Sequence, residues 1–402
     1  MLLCLLASSP SLAPLAQHLS SHAPLRRNGP LRMSLPQASS PPLLESAIAS
    51  LQPTFATIDR QTEASLGRVL RAFRRHGVGA HLFGGVNGYG HGDIGRDALD
   101  SIYAELMGAE AAIVRVQCFS GTHAIACCLF GVLRPGQTLL AVSGAPYDTL
   151  EEVIGLRGRS DDGLTGTLAD FGVSYKQVEL QADGRFDLEA ISDAIEESTR
   201  VLHVQRSCGY AWRPSIPVAE IGRLAEWLKA NHPLLVLFVD NCYGEFVEPI
   251  EPCDVGAHLV AGSLIKNPGG TLAPSGGYVA GRFGMKGAIS LRSDLVAAAS
   301  RRLSAPGVEG GATLGMNRAL LQGLFLAPQA DVVVGEALKG VELIAQVMES
   351  LGYECNPPAG EARTDIIQAQ LHLAPTCPIF PQADKLRLTM LVVFTLVRCV
   401  DS

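Results

Sequence analysis

Between residues 111 and 282 the chain alternates short apolar runs with segments of helical periodicity, and this alternation limits the possible folds more than any other feature. The expected strands are 111–117, 138–142, 173–178, 201–207, 234–240, 259–263 and 277–281; the helices between them include 124–133, 187–197 and 216–231. Strands that are apolar on both faces belong inside a covered sheet, and strand–helix alternation makes such a sheet largely parallel. The expected fold class is α/β, a mainly parallel seven-stranded sheet sandwiched by helices. Ligands of open α/β sheets bind outside the carboxyl ends of the strands. Ser120, Tyr147, Arg206, Asp240 and Lys266 all fall at or just after an expected strand end.

The stretch 263–270, SLIKNPGG, places one lysine behind an apolar strand and follows it with a Pro-Gly-Gly turn. A lysine taken out of water there can present a neutral amine, and a neutral amine forms a Schiff base with an aldehyde. Most lysines are solvated surface charges, so Lys266 gains weight only from what converges with it. Asp240 closes the apolar run LLVLFVD, and a buried carboxylate needs a cationic partner such as a protonated ring nitrogen. Ser120, Gly121, Thr122 and His123 open a helix, where free N–H groups and hydroxyls face an anion. Tyr147, in the loop after strand 138–142, is placed to stack on a flat ring.

In these stretches the sequence resembles the pyridoxal-phosphate enzymes of fold type I, and within them the methionine gamma-lyase-like, or aluminium-resistance, proteins. The matching stretches are GYGHGDIGRD (88–97), SGTHAI (120–125), LRPGQTLL (133–140), GAPYDTLEEVIG (144–155), QRSCGYAWRPS (205–215), FVDNCYGEFVE (238–248) and AGSLIKNPGG (261–270). The resemblance runs from about Thr57 to about Gln368. It implies a fold type I architecture with a smaller C-terminal lobe, and pyridoxal 5′-phosphate held as a Schiff base on Lys266 with Asp240 at its pyridine nitrogen. It gives Ser263 a phosphate-binding role beside Ser120, Gly121 and Thr122, and it implies a homodimer or homotetramer in which Tyr89 reaches the neighbouring subunit's phosphate.

Residues 1–44 contain no Asp before position 59 and no Glu before Glu45, are rich in Ser and Pro, and carry Arg26, Arg27 and Arg32, a composition expected of a plastid or mitochondrial transit peptide. Residues 45–96 form an N-terminal helix and a Gly-rich interface loop; Leu66, Val69, Leu70 and Phe73 share one helical face, and eight glycines crowd residues 77–95. Residues 97–282 form the large cofactor-binding domain, opened by a helix with Leu99, Ile102, Tyr103 and Leu106 in register. Residues 283–370 begin a small C-terminal domain, and 371–402 depart from the family pattern with a Pro-rich stretch and an apolar tail, so the small lobe is expected to be shortened. The arginine that such a lobe often supplies for the substrate carboxylate is not assigned to a residue.

Each single residue also has an ordinary reading. His123 is either a contact to the cofactor ring or a satisfied helix-start histidine; Arg206 either pairs a carboxylate or forms a salt bridge beneath the sheet. Asn241 and Tyr243 are expected to orient Asp240, and Asp93 and Arg96 to brace their loop. Ten cysteines without CxxC spacing, Cys127 and Cys128 among them, read as buried thiols rather than a metal site. A net charge of −7 with no basic patch gives no argument for nucleic acid, and no apolar run is long enough for a membrane span. The expected activity is a pyridoxal-phosphate carbon–sulfur lyase acting on a small sulfur amino acid, with Lys266, Tyr147 and Asp240 as catalytic groups. The alternatives are a truncated, non-catalytic cofactor-binding homologue with a structural role, and an aminotransferase or decarboxylase.

Overall fold

The computed structural model describes residues 42–83, 93–115, 118–157, 166–269, 273, 275–282, 327–350, 353–356, 366–372 and 385–391. These all fall within the compact unit Pro42–Ser402. The expected transit segment 1–44 lies outside them except for its last three residues, which open a helix. The interface loop around Tyr89 and most of the divergent tail also lie outside the described residues.

In chain order the elements are α1 (Pro42–Arg75), α2 (Ile94–Leu106), β1 (Ala111–Arg115), α3 (Gly121–Val132), β2 (Thr138–Ala141), α4 (Asp148–Ile154) and β3 (Ser174–Gln177). They continue with α5 (Leu188–Ala194), β4 (Thr199–Gln205), α6 (Val218–Asn231), β5 (Val236–Asp240), β6 (Leu259–Ser263) and β7 (Gly277–Gly281). Helix α7 (Ala327–Ser350) and strands β8 (Tyr353–Asn356), β9 (Ile366–His372) and β10 (Lys385–Leu391) follow. The first seven strands form one sheet in the order β1-β7-β6-β5-β4-β2-β3. Pairing is parallel from β3 through β6, and β7 runs antiparallel between β6 and β1. A three-stranded antiparallel sheet, β10-β9-β8, follows α7. The expected mainly parallel seven-stranded sheet is thus present, with one reversed strand.

Both faces of the large sheet are covered, as its apolar strands require. Side chains alternate across a strand, so Val236 and Phe238 of β5 join Leu259 and Ala261 of β6 in a core with Ala124, Cys128 and Leu129 of α3. Leu237, Val239 and Val260 join the opposite core with Ile221, Leu224 and Leu228 of α6. Cys127 and Cys128 are buried thiols outside any disulfide.

Two local expectations change. The α2 register is as expected, with Leu99, Ile102, Tyr103 and Leu106 all buried. In α1, however, Leu70 is exposed while Ser65, Val69, Ala72 and Phe73 are buried, so the covered face lies about one residue round the helix. Strand β4 ends at Gln205 rather than at 207, which moves Arg206 and Ser207 into the following loop. Among the described residues no helix is long and apolar enough to cross a membrane.

Candidate active site

A cavity of about 320 Å³ opens at the carboxyl ends of the parallel strands. That volume sits at the small end of the ~300–1,000 Å³ usual for ligand pockets. Ser120, Gly121, Thr122, Tyr147, Asp240, Ser263 and Lys266 all line it. The structure therefore gathers residues from four separate loops that the sequence singled out. Tyr89 lies outside the described residues. His123 does not line the cavity: its Nδ1 accepts the Phe119 N–H at 3.3 Å and its ring stacks on Phe119.

The anion-facing wall is the start of α3. Ser120 is extended at φ −157° and caps the helix, its Oγ accepting the His123 N–H at 3.2 Å. Such a cap stabilises a helix by about 1 kcal/mol. The N–H groups of Gly121 and Thr122 have no acceptor within the helix, as in any first turn. Gly121 suits the close approach here, because a Cβ would lie 3.0 Å from the Ser263 Cβ and 3.1 Å from the Cys242 Sγ, so those neighbours would have to give by a few tenths of an ångström. The helix start is thus seated against the end of β6. Ser263 Oγ accepts the Ile265 N–H at 3.2 Å, and Thr122 Oγ1 shares a 2.7 Å hydrogen bond with Thr149 Oγ1.

Asp240 ends β5 almost wholly buried, its Oδ1 accepting the Cys242 N–H at 3.0 Å. Burial pushes its carboxyl up from the ordinary value, and the Cys242 backbone and thiol donors and the charge on Lys266 pull partly the other way. Lys266 follows β6, with its Nζ 3.5 Å from the centroid of the Tyr243 ring. An ammonium over a phenol face is a cation–π contact. Tyr243 holds a left-handed backbone at φ 66°, a conformation that costs a non-glycine residue about 1–2 kcal/mol. The turn is pinned on either side of it by Asn241 N–H to Ala261 O at 2.9 Å and Gly244 N–H to Asn241 O at 2.8 Å.

Tyr147 is anchored by its backbone N–H, which donates to Gln205 Oε1 at 2.6 Å. Its ring stacks on Tyr210 at 5.3 Å and 25°, and its hydroxyl donates to the Tyr210 hydroxyl at 2.9 Å. That hydrogen bond, together with partial burial and the neighbouring Tyr210, Asp148 and Tyr243, raises the pKa of the Tyr147 phenol.

Of the further residues that the sequence singled out, Arg206 follows its salt-bridge reading and Asn241 departs from its expected role. Arg206 does not line the cavity; it is buried, bonded to Asn241 Oδ1 at 2.9 Å, Gly244 O at 2.6 Å and Glu248 Oε1 at 2.6 Å, which settles it as a brace beneath the sheet. Asn241 serves that brace rather than Asp240, its Nδ2 donating to Glu251 Oε2 at 3.0 Å. The Tyr243 ring lies against Lys266 Nζ. Asp93 caps α2, its Oδ1 accepting the Arg96 N–H at 3.1 Å, and pairs with the Arg96 side chain at 3.2 Å; the loop they are expected to brace lies outside the described residues.

Sequence reasoning missed Gln205, Tyr210, Cys242 and Ile265, all of which line the cavity. Strand parity would have found Gln205, because Val201 and Gln205 of β4 point to the α3 side while Leu202, Val204 and Arg206 point away. Chemically, the cavity combines a helix start with free N–H groups, a buried carboxyl, a lysine amine and a phenol. This donor set fits an aromatic aldehyde bearing a phosphate.

Residues 41–375 match the family model described as methionine gamma-lyase. The uncharacterized protein YnbB of Bacillus subtilis is 46% identical over 333 residues, covering 81% of this chain and 75% of that protein. The solved structure of a carbon–sulfur lyase involved in aluminium resistance from Clostridium novyi is 41% identical with a TM-score of 0.73, covering 82% of this chain and 76% of that one. A cystathionine gamma-lyase from Lactobacillus plantarum, at 17% identity and a TM-score of 0.51 over 69% of this chain and 66% of its own, shares the fold.

Proposed function

The chain belongs to the methionine gamma-lyase family, and on that premise we propose that it is a pyridoxal-phosphate-dependent carbon–sulfur lyase acting on an amino acid of the methionine, cystathionine or cysteine type. The observation that carries this reading is the convergence of Lys266, Asp240 and the first turn of α3 on one cavity. Ser120, Gly121, Thr122 and Ser263 hold the cofactor phosphate, and His123 shapes the helix start behind them. Asp240 would hold the proton on the cofactor's ring nitrogen, and Tyr147 would stack on the ring. When bound, the cofactor supplies an electron sink for the carbanion formed at the substrate Cα. Lys266 Nζ removes and returns the substrate protons, and Tyr147 Oη gives a proton to the departing sulfur.

The purified protein is expected to be yellow with pyridoxal phosphate, and borohydride should fix the chromophore to the peptide that contains Lys266. Incubation with methionine, cystathionine or cysteine should release ammonia and a 2-oxoacid. Label on another lysine overturns the assignment of Lys266. Turnover only with an added oxoacid acceptor identifies an aminotransferase, and cofactor binding without turnover of any of the three identifies a non-catalytic homologue.

The reading includes assembly. The site is shared between subunits of a homodimer or homotetramer, with Tyr89 of one chain serving the phosphate of the other. Mixing Tyr89→Phe with Lys266→Ala protomers under exchange should restore part of the activity that each lacks alone, since hybrids carry one intact site. Full activity of Tyr89→Phe alone removes the shared site from the proposal. The small lobe of residues 283–370 and the divergent segment 371–402 belong to the same proposal.

A further inference from the structure

Tyr210 lines the cavity without a part in the functional reading, and it links the Tyr147 hydroxyl to solvent. It is 67% exposed, whereas Tyr147, on which it stacks, is 36% exposed. The two rings lie 25° apart with a 2.9 Å bond between their hydroxyls, so the pair forms a continuous O–H chain from the cavity wall to the surface. Gly209, at φ +57°, sets this geometry: a Cβ there would lie 3.4 Å from the Tyr147 ring and 3.0 Å from the Gln205 amide that anchors the Tyr147 backbone.

We propose that Tyr210 is a positioning residue that holds the Tyr147 phenol protonated at rest and resupplies its proton from solvent after the carbon–sulfur bond breaks. The inference rests on Tyr147 being the general acid. At rest Tyr147 donates to Tyr210. Each hydroxyl carries one proton and one free rotor, so turning both rotors lets Tyr210 donate to Tyr147 while the Tyr147 proton points into the cavity. In the transfer, the Tyr147 O–H bond breaks as an S–H bond forms on the thiolate, and the Tyr210 proton moves to the Tyr147 oxygen. Tyr210 then takes a proton from water. Elimination removes one proton net from the substrate carbons, and Lys266 releases that one to solvent, where it neutralises the hydroxide; no electrons change hands and the proton count closes.

The Tyr147 hydroxyl bonds Tyr210 from the loop after β4, and the charges that act on it come from Tyr210, Asp148 at the start of α4 and Tyr243 in the loop after β5. All three favour the neutral phenol, and Tyr210 contributes most. Tyr210→Phe keeps the stacking and removes only the acceptor. Loss of a hydrogen bond of ordinary strength corresponds to a downward shift of about one pH unit in Tyr147 ionisation.

The experiment compares the full-length wild type with Tyr210→Phe, Tyr147→Phe and the double variant. It reads tyrosinate absorbance against pH, with and without pyridoxal phosphate, and the pH profile of kcat/KM. The contribution of Tyr147 is the difference between each parent and its Tyr147→Phe partner. In Tyr210→Phe, Tyr147 should titrate lower, the alkaline limb of the rate profile should move with it, and kcat should fall about tenfold at unchanged KM. An unmoved Tyr147 titration overturns the proposal, and so does a moved titration with unchanged kcat. A wild type that turns over no sulfur amino acid speaks against the lyase reading instead, while the absorbance titration still decides whether Tyr210 holds the Tyr147 proton.

Discussion

Lys266→Arg is expected to fold and to bind pyridoxal phosphate yet to lose turnover by about 10²–10⁴-fold or more, the scale of a lost general acid–base group. The substitution keeps a cation over the Tyr243 ring and near Asp240. An arginine side chain cannot give up its proton in a protein, so it neither condenses with an aldehyde nor accepts a proton from Cα. The wild-type turn is short and backbone-pinned, with Leu264 N–H to Gly276 O at 3.0 Å, so its geometry does not depend on the side chain at 266. Three measurements separate chemistry from folding: kcat, the borohydride-fixed chromophore, and the thermal midpoint. Retention of more than a few per cent of wild-type kcat would exclude Lys266 as the essential amine.

Asp240→Asn is expected to move stability in opposite directions with and without the cofactor. In the free protein, burial holds the Asp240 carboxyl above its ordinary value. A carboxyl whose folded pKa exceeds its unfolded one changes nothing below the unfolded pKa of about 3.9. Its ionised form lowers stability progressively as pH rises from there through the folded pKa. Asparagine removes that cost and keeps an oxygen for the Cys242 N–H, so the cofactor-free variant should melt at or above the wild-type temperature near pH 7. The difference should shrink towards pH 4. With pyridoxal phosphate bound the order should invert, because removing one partner of a buried charge pair costs roughly 2–5 kcal/mol, or about 30- to 5,000-fold in affinity. Melting curves of both proteins with and without cofactor at two pH values test this. A variant that gains as much stability from the cofactor as the wild type would show that Asp240 does not meet the ring nitrogen.

The legible part of this molecule was the part governed by hydrophobic burial. Seven apolar runs produced seven strands, and the strand-end rule brought Lys266, Asp240, Tyr147 and Ser120 to one cavity before any coordinates. What sequence reasoning missed depended on parity and on turns. Asp240 and Asn241 are neighbours in the chain, but successive side chains point to opposite faces. One therefore enters the cavity while the other joins Arg206 and Glu251 beneath the sheet. The same parity separates Gln205 from Arg206, and reading the end of β4 two residues late hid it. The stacking of Tyr210 on Tyr147 arises between two loops 63 residues apart, which no local pattern encodes. Leu70 fails for a simpler reason, since a narrow apolar stripe on a long helix leaves its flanking positions undecided.

The left-handed backbone of Tyr243 also bears on how this enzyme can drift over generations. Glycine occupies that region without strain, so a lineage free to change position 243 would relax towards glycine and gain stability. The tyrosine in this chain places its ring under the Lys266 ammonium at the cost of that strain, an outlier that points to a role for the ring. The strain also implies that stabilising replacements at 243 and a firmly held lysine are alternatives between which the chain must choose.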